Sequence, residues 1–313
     1  MDYPELRERA LPLLGDAWDL GVALVEPIAP ANGSPLSLLS AMRSQMGTIA
    51  WTDEDIRFPV ESVRGLVAIH IAQLDGFRSL IAGGPPLLLH PAMTLIRGAA
   101  EAGGLLTWLL EPWVAPPGDD ELQDEAAWAQ VSIPVLVRSQ VLRLDEMANR
   151  RWRREVGAGA VQPQDETALS QFKQSLTQQH GSDKVTFTDG RKKWAVAGVA
   201  LPNATERVTS VTEYAYGNTF RGSGINPYPM LSGYAHARVE TLFKSAPASG
   251  PVSMSSLLEA ELNEAFWITS LALRLFAVTY ELAARALGAD LQAFQTWEVR
   301  AESLVLTQSP RGP

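Results

Sequence analysis

The sequence is dominated by long stretches in which large apolar residues recur at the spacing of an α-helix. Between Pro59 and Ala82 they recur every three or four positions, and the run from Gly83 to Pro86 ends the pattern. The stripe consists of Val60, Val63, Val67, Ile71, Leu74, Phe77 and Leu80. The same spacing predicts helices over 4–28 and 90–111, from about 255 to 287, and around 289–302. We therefore predict an all-α fold, a helical bundle.

Shorter or more polar segments complete the predicted helices. Ser34 favours an N-cap for a short helix that begins at Pro35. A helix that starts near Asp119 is expected to reach about Val156, with a kink or a break at Pro134, because an internal proline removes a hydrogen bond and clashes with the preceding turn. Further helices are predicted over 165–180, 205–216 and 230–245.

The segment 157–202 differs in composition from the rest. Its helix at 165–180 is very polar, with Phe172 and Leu176 among its few large apolar residues. Two β-prone runs then flank Asp189-Gly190, a pair typical of hairpin turns, although an ordered loop is the alternative. We predict one helical domain over 1–313, with 157–202 as a small polar insertion and 303–313 as a flexible tail.

Charge and cysteine content limit the classes of partner and site. The chain of 313 residues carries a net charge of −9, which disfavours nonspecific binding to DNA or RNA, although a basic cluster lies at Arg150–Arg154. The sequence contains no cysteine, which excludes disulfides, thiolate metal sites and a cysteine nucleophile. We expect no DNA partner and a reducing cytosol.

The N-terminus and the most apolar segment bear on localisation. The start, MDYPELRER, lacks the basic and apolar regions of a secretory signal. The apolar run from Ala265 to Leu287 is interrupted by Arg274, Glu281 and Arg285, so a buried helix is favoured over a membrane span. We predict a cytoplasmic protein with no membrane partner.

Two predicted helices carry ionisable residues inside apolar stretches. Arg97 and Glu101 are four residues apart and so share one helix face. Glu101 can orient Arg97 toward a phosphate or carboxylate, or the pair can fix the helix register. His236 lies between Gly233 and Ala237, where it can act as a general acid or base or hydrogen-bond within the bundle. Both alternatives stay open for each site.

Other chemistries lack the residues that they require. His70, His90 and His180 have no second ligand at metal-binding spacing, and the acidic run DDELQDE lies in a proline-rich connection. The chain has no phosphate-binding glycine motif and no G-x-S-x-G elbow. We therefore expect neither a metal nor another cofactor.

Three motifs carry a resemblance to a known family. They are R-x-x-x-E with W-L-L-x-P over Arg97–Pro112, an arginine-bearing helix with Arg138 and Arg143, and Y-x-x-L-S-G-x-A-H over Tyr228–His236. Over about residues 60–287 the chain resembles uncharacterised helical proteins of actinobacteria, which in turn resemble HEPN-like domains. The resemblance implies a HEPN-like bundle in an actinobacterium or one of its phages.

The HEPN group includes ribonuclease toxins, antiphage effectors and catalytically silent members. In active members, R-x4–6-H motifs from two chains meet across a dimer and cleave RNA without metal. Here Pro229 or Met230 stands where that arginine would precede His236. A formal match joins Arg64 to His70, but six residues of helix put these side chains on opposed faces.

Three functions follow from these observations, and the sequence leaves open whether the protein is an enzyme. The leading prediction is a helical interaction, scaffold or defence-related protein that forms a homodimer through apolar helix faces. The second is a metal-independent endoribonuclease in which His236 is the acid or base and Arg97 or Arg238 stabilises the phosphate, with Glu101 beside Arg97. The third is a small anionic ligand site lined by Tyr228, Trp108 and Arg97.

Overall fold

The computed structural model describes residues 2–41, 43–46, 49–84, 89–114, 125–156, 163–187, 194–216, 228, 231–232 and 254–306. In this part of the chain nine α-helices, one short 3-10 helix and a small sheet are present, which confirms the all-α prediction. The α-helices are α1 (Tyr3–Val25), α2 (Pro35–Ala41), α3 (Asp53–Ala82), α4 (Leu89–Val114), α5 (Glu125–Val156), α6 (Pro163–His180), α7 (Ala204–Tyr216), α8 (Met254–Leu287) and α9 (Gln292–Leu306). The 3-10 helix spans Arg43–Gln45.

The chain divides into two compact units. Unit 1 comprises Met1–Ala29, Val63–Trp108 and Ala204–Pro313, and unit 2 comprises Pro30–Ser62 and Leu109–Asn203. The boundaries fall inside α3 and α4 in the sequence. The segment 157–202, which we predicted as an insertion into one domain, therefore belongs to a larger unit that also contains the chain from Pro30 to Ser62.

The core of unit 1 is built around α8, which packs against α1, α7 and α9. Phe276 of α8 contacts Trp297 of α9 edge to face, with ring centroids 4.8 Å apart, and Tyr280 stacks on Phe294 at the same distance. The buried indole of Trp297 donates a hydrogen bond to the carbonyl of Leu13 in α1 at 2.9 Å. This aromatic cluster satisfies its polar atom and joins three helices.

The helix α8 also contains a long apolar stretch. Among the described residues, Leu262–Leu287 is the one helical segment long and apolar enough to cross a membrane, judged by length and composition. In its most apolar window 67% of the residues are buried inside the fold. Core helices pass the same test, and the contacts of α8 with α1, α7 and α9 are those of a core helix.

Helix α3 begins six residues earlier than the start at Pro59 that the apolar stripe indicates. Thr52 caps it: its hydroxyl accepts from the Asp55 N–H at 3.1 Å, and the Asp55 carboxylate accepts from the Thr52 N–H at 2.9 Å. This reciprocal pair is a capping box, which satisfies two backbone donors at the helix start. Pro59 therefore lies inside the helix.

Helix α5 is continuous through Pro134, so of the two alternatives expected at this proline the break is wrong and the kink stays a prediction. An internal proline costs a helix roughly 3 kcal/mol. The residues that follow, Val135, Leu136 and Val137, are almost completely buried. Their burial in the core of unit 2 offsets that cost, because each fully buried side chain contributes about 1.5–3 kcal/mol.

The segment 157–202 contains a three-stranded antiparallel sheet, β1 (Val185–Thr186), β2 (Ala195–Val196) and β3 (Val199–Ala200), in the order β1-β2-β3. Ala197 and Gly198, with φ of 50° and 79°, form the two-residue turn between β2 and β3, the conformation that tight hairpins favour. β1 and β2, the strands on either side of Asp189-Gly190, pair antiparallel as the predicted hairpin requires, and β2 and β3 form a second hairpin that was not predicted. Asp189-Gly190 lies outside the described residues.

Candidate functional site

The predicted polar site on α4 assembles around Arg97. Its Nε donates to Glu101 Oε1 at 2.7 Å, as the i, i+4 spacing predicts. Its terminal nitrogen also donates to the Tyr228 hydroxyl at 3.3 Å, and its guanidinium carbon lies 5.2 Å from the centre of the Tyr228 ring. The structure thus brings together Arg97, Glu101 and Tyr228, all within unit 1.

The burial of this site is intermediate. The Arg97 side chain is 19% exposed and that of Glu101 is 28% exposed. Partial burial reduces the screening of the ion pair by water, while the site is not sealed from solvent. A guanidinium held from two sides in this way presents its N–H donors in a fixed plane, the geometry that suits the oxygens of a carboxylate or phosphate.

Trp108 lies on the same face of α4 as Arg97 but is not beside it. Eleven residues separate them, nearly three whole turns, which places their Cα atoms about 16 Å apart along the helix axis. Leu105, also half-buried, lies on this face between Glu101 and Trp108. Trp108 therefore extends the half-buried face that carries Arg97, and its part in a ligand site stays a prediction.

Two predicted site residues remain, both on the predicted helix over 230–245. His236 and Arg238 lie outside the described residues, as does most of the predicted 230–245 helix. Leu231 and Ser232, just before them, are described and buried. The roles of His236 and Arg238 stay predictions.

The formal R-x-x-x-x-x-H match on α3 does not form a site. His70 is completely buried, and its Nδ1 lies 2.9 Å from the carbonyl oxygen of Ala99. Arg64 instead donates to the carbonyl oxygen of Ile28. An RNA phosphate has no access to a histidine with no exposed surface, so this pair is not catalytic.

Among the described residues of unit 1, His70 has the pKa that departs furthest from its ordinary value. Burial lowers its pKa to about 4, and the hydrogen bond to Ala99 opposes that shift only in part. The ring is therefore neutral at pH 7, with Nδ1 carrying the proton that Ala99 accepts. Nε2 has no hydrogen-bond partner among the described residues.

A glycine pair in α4 lets two neighbouring helices approach this region closely. A Cβ atom at Gly103 would lie 2.6 Å from the Thr279 hydroxyl oxygen of α8. A Cβ atom at Gly104 would lie 2.1 Å from the carbonyl oxygen of Arg207 in α7. Only glycine fits where another backbone comes this near. This contact was not predicted, although a glycine pair inside an apolar helix is its signal in the sequence.

Unit 2 contains a buried polar network that the sequence did not reveal. The Asp55 carboxylate accepts from the Thr52 N–H and hydroxyl and from the amides of Gln140, at 2.9 Å, and Gln179, at 3.2 Å. The Gln140 amide also donates to the Gln179 side-chain oxygen at 2.8 Å. Asp55, Gln140 and His180 are each at most 9% exposed. The carboxylate also lies in the first turn of α3, where the helix dipole favours negative charge.

His180 forms the far end of this network. Its Nε2 lies 2.8 Å from the side-chain oxygen of Gln140, and the Trp51 ring meets the imidazole edge to face with centroids 5.9 Å apart. Burial lowers the pKa of His180, the charge of Asp55 raises it, and that of Lys184 lowers it further. The net shift is downward, so His180 is neutral at pH 7.

Aromatic rings hold two cations at the same part of unit 2. Arg143 forms an ion pair with Glu54 at 2.5 Å, and its guanidinium lies 4.3 Å from the centre of the Phe172 ring. The Lys173 ammonium lies 5.3 Å from the ring centre of Phe187 and 4.8 Å from that of Trp194. These contacts fasten α6 to α5 and to the sheet.

Metal binding finds no support in the described ranges. Within them no group of three or more His, Asp or Glu side chains could hold a metal ion. The side chains of the basic cluster Arg150–Arg154 lie outside the described part.

Comparisons of the chain with protein-family models, with curated proteins and with solved structures found no match. The resemblance to HEPN-like proteins therefore stays a prediction.

Proposed function

We propose that this protein is a helical binding protein and that it takes a small anionic ligand, a carboxylate or a phosphate, at Arg97. The observation that supports this proposal is the arrangement of Arg97 between Glu101 and Tyr228. One partner fixes the guanidinium through an ion pair, and the other contacts it through both its hydroxyl and its ring. Such a guanidinium loses little conformational entropy when an anion binds.

The charge of Glu101 sets the expected affinity. Because its carboxylate offsets the charge of Arg97, the site attracts an anion less strongly than an unpaired arginine would. We expect a dissociation constant of about 1 mM for a simple anion, which corresponds to about 4 kcal/mol. A free ligand at ten times its dissociation constant then raises the free energy of unfolding by about 1.4 kcal/mol.

The test measures the thermal unfolding midpoint with 10 mM inorganic phosphate or acetate, against chloride at equal ionic strength. We expect one of these anions to raise the midpoint of the wild type and not that of Arg97→Gln. Arg285→Gln is the matched control, because Arg285 forms the same i, i+4 ion pair with Glu281 on the exposed surface of α8. It should retain the anion-dependent increase.

Two outcomes would contradict the proposal. One is no anion-dependent shift in the wild type, and the other is an equal loss of the shift in Arg97→Gln and Arg285→Gln, which would indicate a general salt effect. A short single-stranded RNA, added with EDTA, distinguishes a nucleic-acid phosphate from a free anion. Cleavage of that RNA by the wild type and not by Arg97→Gln would instead favour the endoribonuclease prediction.

The predicted interaction role and the predicted homodimer stay predictions. The described surface of unit 1 includes exposed apolar side chains, Ile28 at 63% and Ile69 at 52%. Isolated apolar residues are normal on protein surfaces, so they carry no argument for a particular partner.

A further inference from the structure

We propose that α6 and the three-stranded sheet form a lobe of unit 2 that opens from α5 in acid, and that the buried relay from Asp55 through Gln140 to His180 is the latch that holds it closed. This lobe, called the α6 lobe below, comprises the described residues 163–187 and 194–200. It lies within unit 2 and its opening requires no ligand, so it is independent of the Arg97 site.

Asp55 determines which atom donates and which accepts in each hydrogen bond of the relay. A carboxylate can only accept hydrogen bonds, so the Gln140 amide must turn its NH2 group toward Asp55. The side-chain oxygen of Gln140 then faces His180, and His180 Nε2 must carry the proton that this oxygen accepts. Asp55 thereby fixes the tautomer of a histidine on another helix, and an added proton can only go to Nδ1.

The relay is saturated at each amide. The NH2 group of Gln140 donates to Asp55 and Gln179, and its oxygen accepts from His180. The NH2 group of Gln179 donates to Asp55 and to the carbonyl oxygen of Ala50, and its oxygen accepts from Gln140. Loss of one member leaves buried partners unsatisfied, which makes the network cooperative.

The α6 lobe depends on this latch because it buries few apolar side chains. In its described part these are Leu169, Phe172, Leu176 and Val196. The α6 lobe contacts the rest of unit 2 through α5, which packs against both α6 and the sheet. Its other described attachments include the hydrogen bonds of Gln179 and His180 to residues outside the lobe, the contact of Phe172 with Arg143 and the edge-to-face contact of His180 with Trp51. Segments with few buried apolar contacts open locally at low free energy.

The charges around His180 favour opening in acid. Two charges act on His180: Asp55 of α3, at the other end of the relay, and Lys184, which follows α6. Burial outweighs the attraction of Asp55, so the closed lobe disfavours the imidazolium. The open lobe exposes His180 to water, where the ring protonates more readily. Protons therefore shift the population toward the open lobe.

The test is amide hydrogen exchange of the full chain at pH 7.5 and pH 5.0, corrected for intrinsic exchange rates. We expect the amides of α6 to lose several-fold more protection in acid than those of α8. His180→Gln retains an N–H donor toward Gln140 but does not titrate, so its α6 lobe should keep its protection at pH 5.0. Gln140→Leu removes the middle of the relay, so its α6 lobe should be open at both pH values.

Three results would overturn the latch. They are parallel loss of protection in α6 and α8, an unchanged acid response in His180→Gln, and full α6 protection in Gln140→Leu at pH 7.5. If Gln140→Leu loses protection throughout the chain, His180→Gln decides alone, because it removes only the titration. The anion assay at Arg97 is unaffected by any of these results.

Discussion

Two buried histidines show how differently the two units accommodate a polar side chain. His70 in unit 1 is completely buried against Phe276, and one ring nitrogen bonds to a backbone carbonyl. His180 in unit 2 is the end of a chain of side-chain hydrogen bonds that reaches a carboxylate. Both are neutral at pH 7. Apolar surroundings keep His70 uncharged, whereas the hydrogen-bond network determines which ring nitrogen of His180 carries the proton.

The two units are therefore sensitive to different kinds of substitution. Unit 1 depends on close packing of helices. An added methyl group there meets neighbouring atoms, and an added charge at His70 is surrounded by apolar groups. Unit 2 depends at α6 on hydrogen bonds between side chains, and loss of one partner leaves others unsatisfied. We therefore expect steric and charge changes to have their largest effects in unit 1, and α6 to respond to single polar substitutions.

The largest expected effect comes from adding one methyl group to unit 1. In Gly104→Ala the new Cβ would lie 2.1 Å from the Arg207 carbonyl oxygen, so α4 and α7 must move apart. We expect the free energy of unfolding in urea to fall by more than about 3 kcal/mol, as in the more severe overpacked cores.

Gly65→Ala is the matched control for Gly104→Ala. Gly65 also lies in a helix, but a Cβ atom added there would meet no described atom of a neighbouring element within 4 Å. The substitution should leave stability unchanged or raise it by up to about 1 kcal/mol through helix propensity. Equal effects of the two substitutions would contradict the close approach of α4 and α7.

A somewhat smaller effect is expected from acid acting on His70. Its pKa is about 4 in the folded state and about 6.5 in an unfolded chain, so below pH 6.5 the unfolded state binds a proton that the folded state does not. The contribution of neutral His70 to the free energy of unfolding is fully present above pH 6.5 and is lost as the pH decreases toward 4. The difference amounts to about 3 kcal/mol by pH 4.

Urea unfolding of the wild type and His70→Gln between pH 7.5 and pH 4 measures this contribution. His70→Gln should be less stable at pH 7.5, because the new side chain fits the site less well, but its slope against pH should be shallower. His180→Gln is the comparison in unit 2. It should remove the acid-dependent loss of amide protection in α6 and leave that of α8 unchanged. An unchanged slope in His70→Gln would show that other groups dominate acid unfolding.

The contrast between the units also explains what the sequence could predict. Helix periodicity depends on residues a few positions apart, so α1, α3, α4 and α8 were recognisable from the chain. The pair of Arg97 and Glu101 was predictable for the same reason. Tyr228 was predicted to line the same site as Arg97, but the position of its ring against the guanidinium was not predictable. The two residues are 131 positions apart, so no local pattern relates them.

The network in unit 2 was not predictable, because its members share no local pattern. Asp55 and Gln140 are 85 positions apart, and Gln140 and His180 are 40 apart. Taken singly, a glutamine and a histidine on a polar helix indicate a solvated surface. The one local signal was Thr52 with Asp55 three residues later, which resembles a helix cap and would have placed the start of α3 correctly.

The smallest expected effect concerns the cation between two aromatic rings in unit 2. Lys173→Met keeps the aliphatic length of the side chain but removes the charge that lies near Phe187 and Trp194. We expect a loss of about 0.5–1 kcal/mol, the range for a cation on aromatic faces near a surface. The measurement is amide exchange of α6 at pH 7.5, where His180 is neutral and the latch is closed.

Lys184→Met provides the control, because Lys184 belongs to the same lobe but is exposed. It removes an equal charge without removing a ring contact, so α6 protection should be unchanged at pH 7.5. In Lys173→Met the loss should be confined to α6 and the sheet, with α8 unaffected. A loss that spread equally to α8 would mean that the α6 lobe does not open as a separate element, and the contrast between a packed unit and a latched lobe would fail with it.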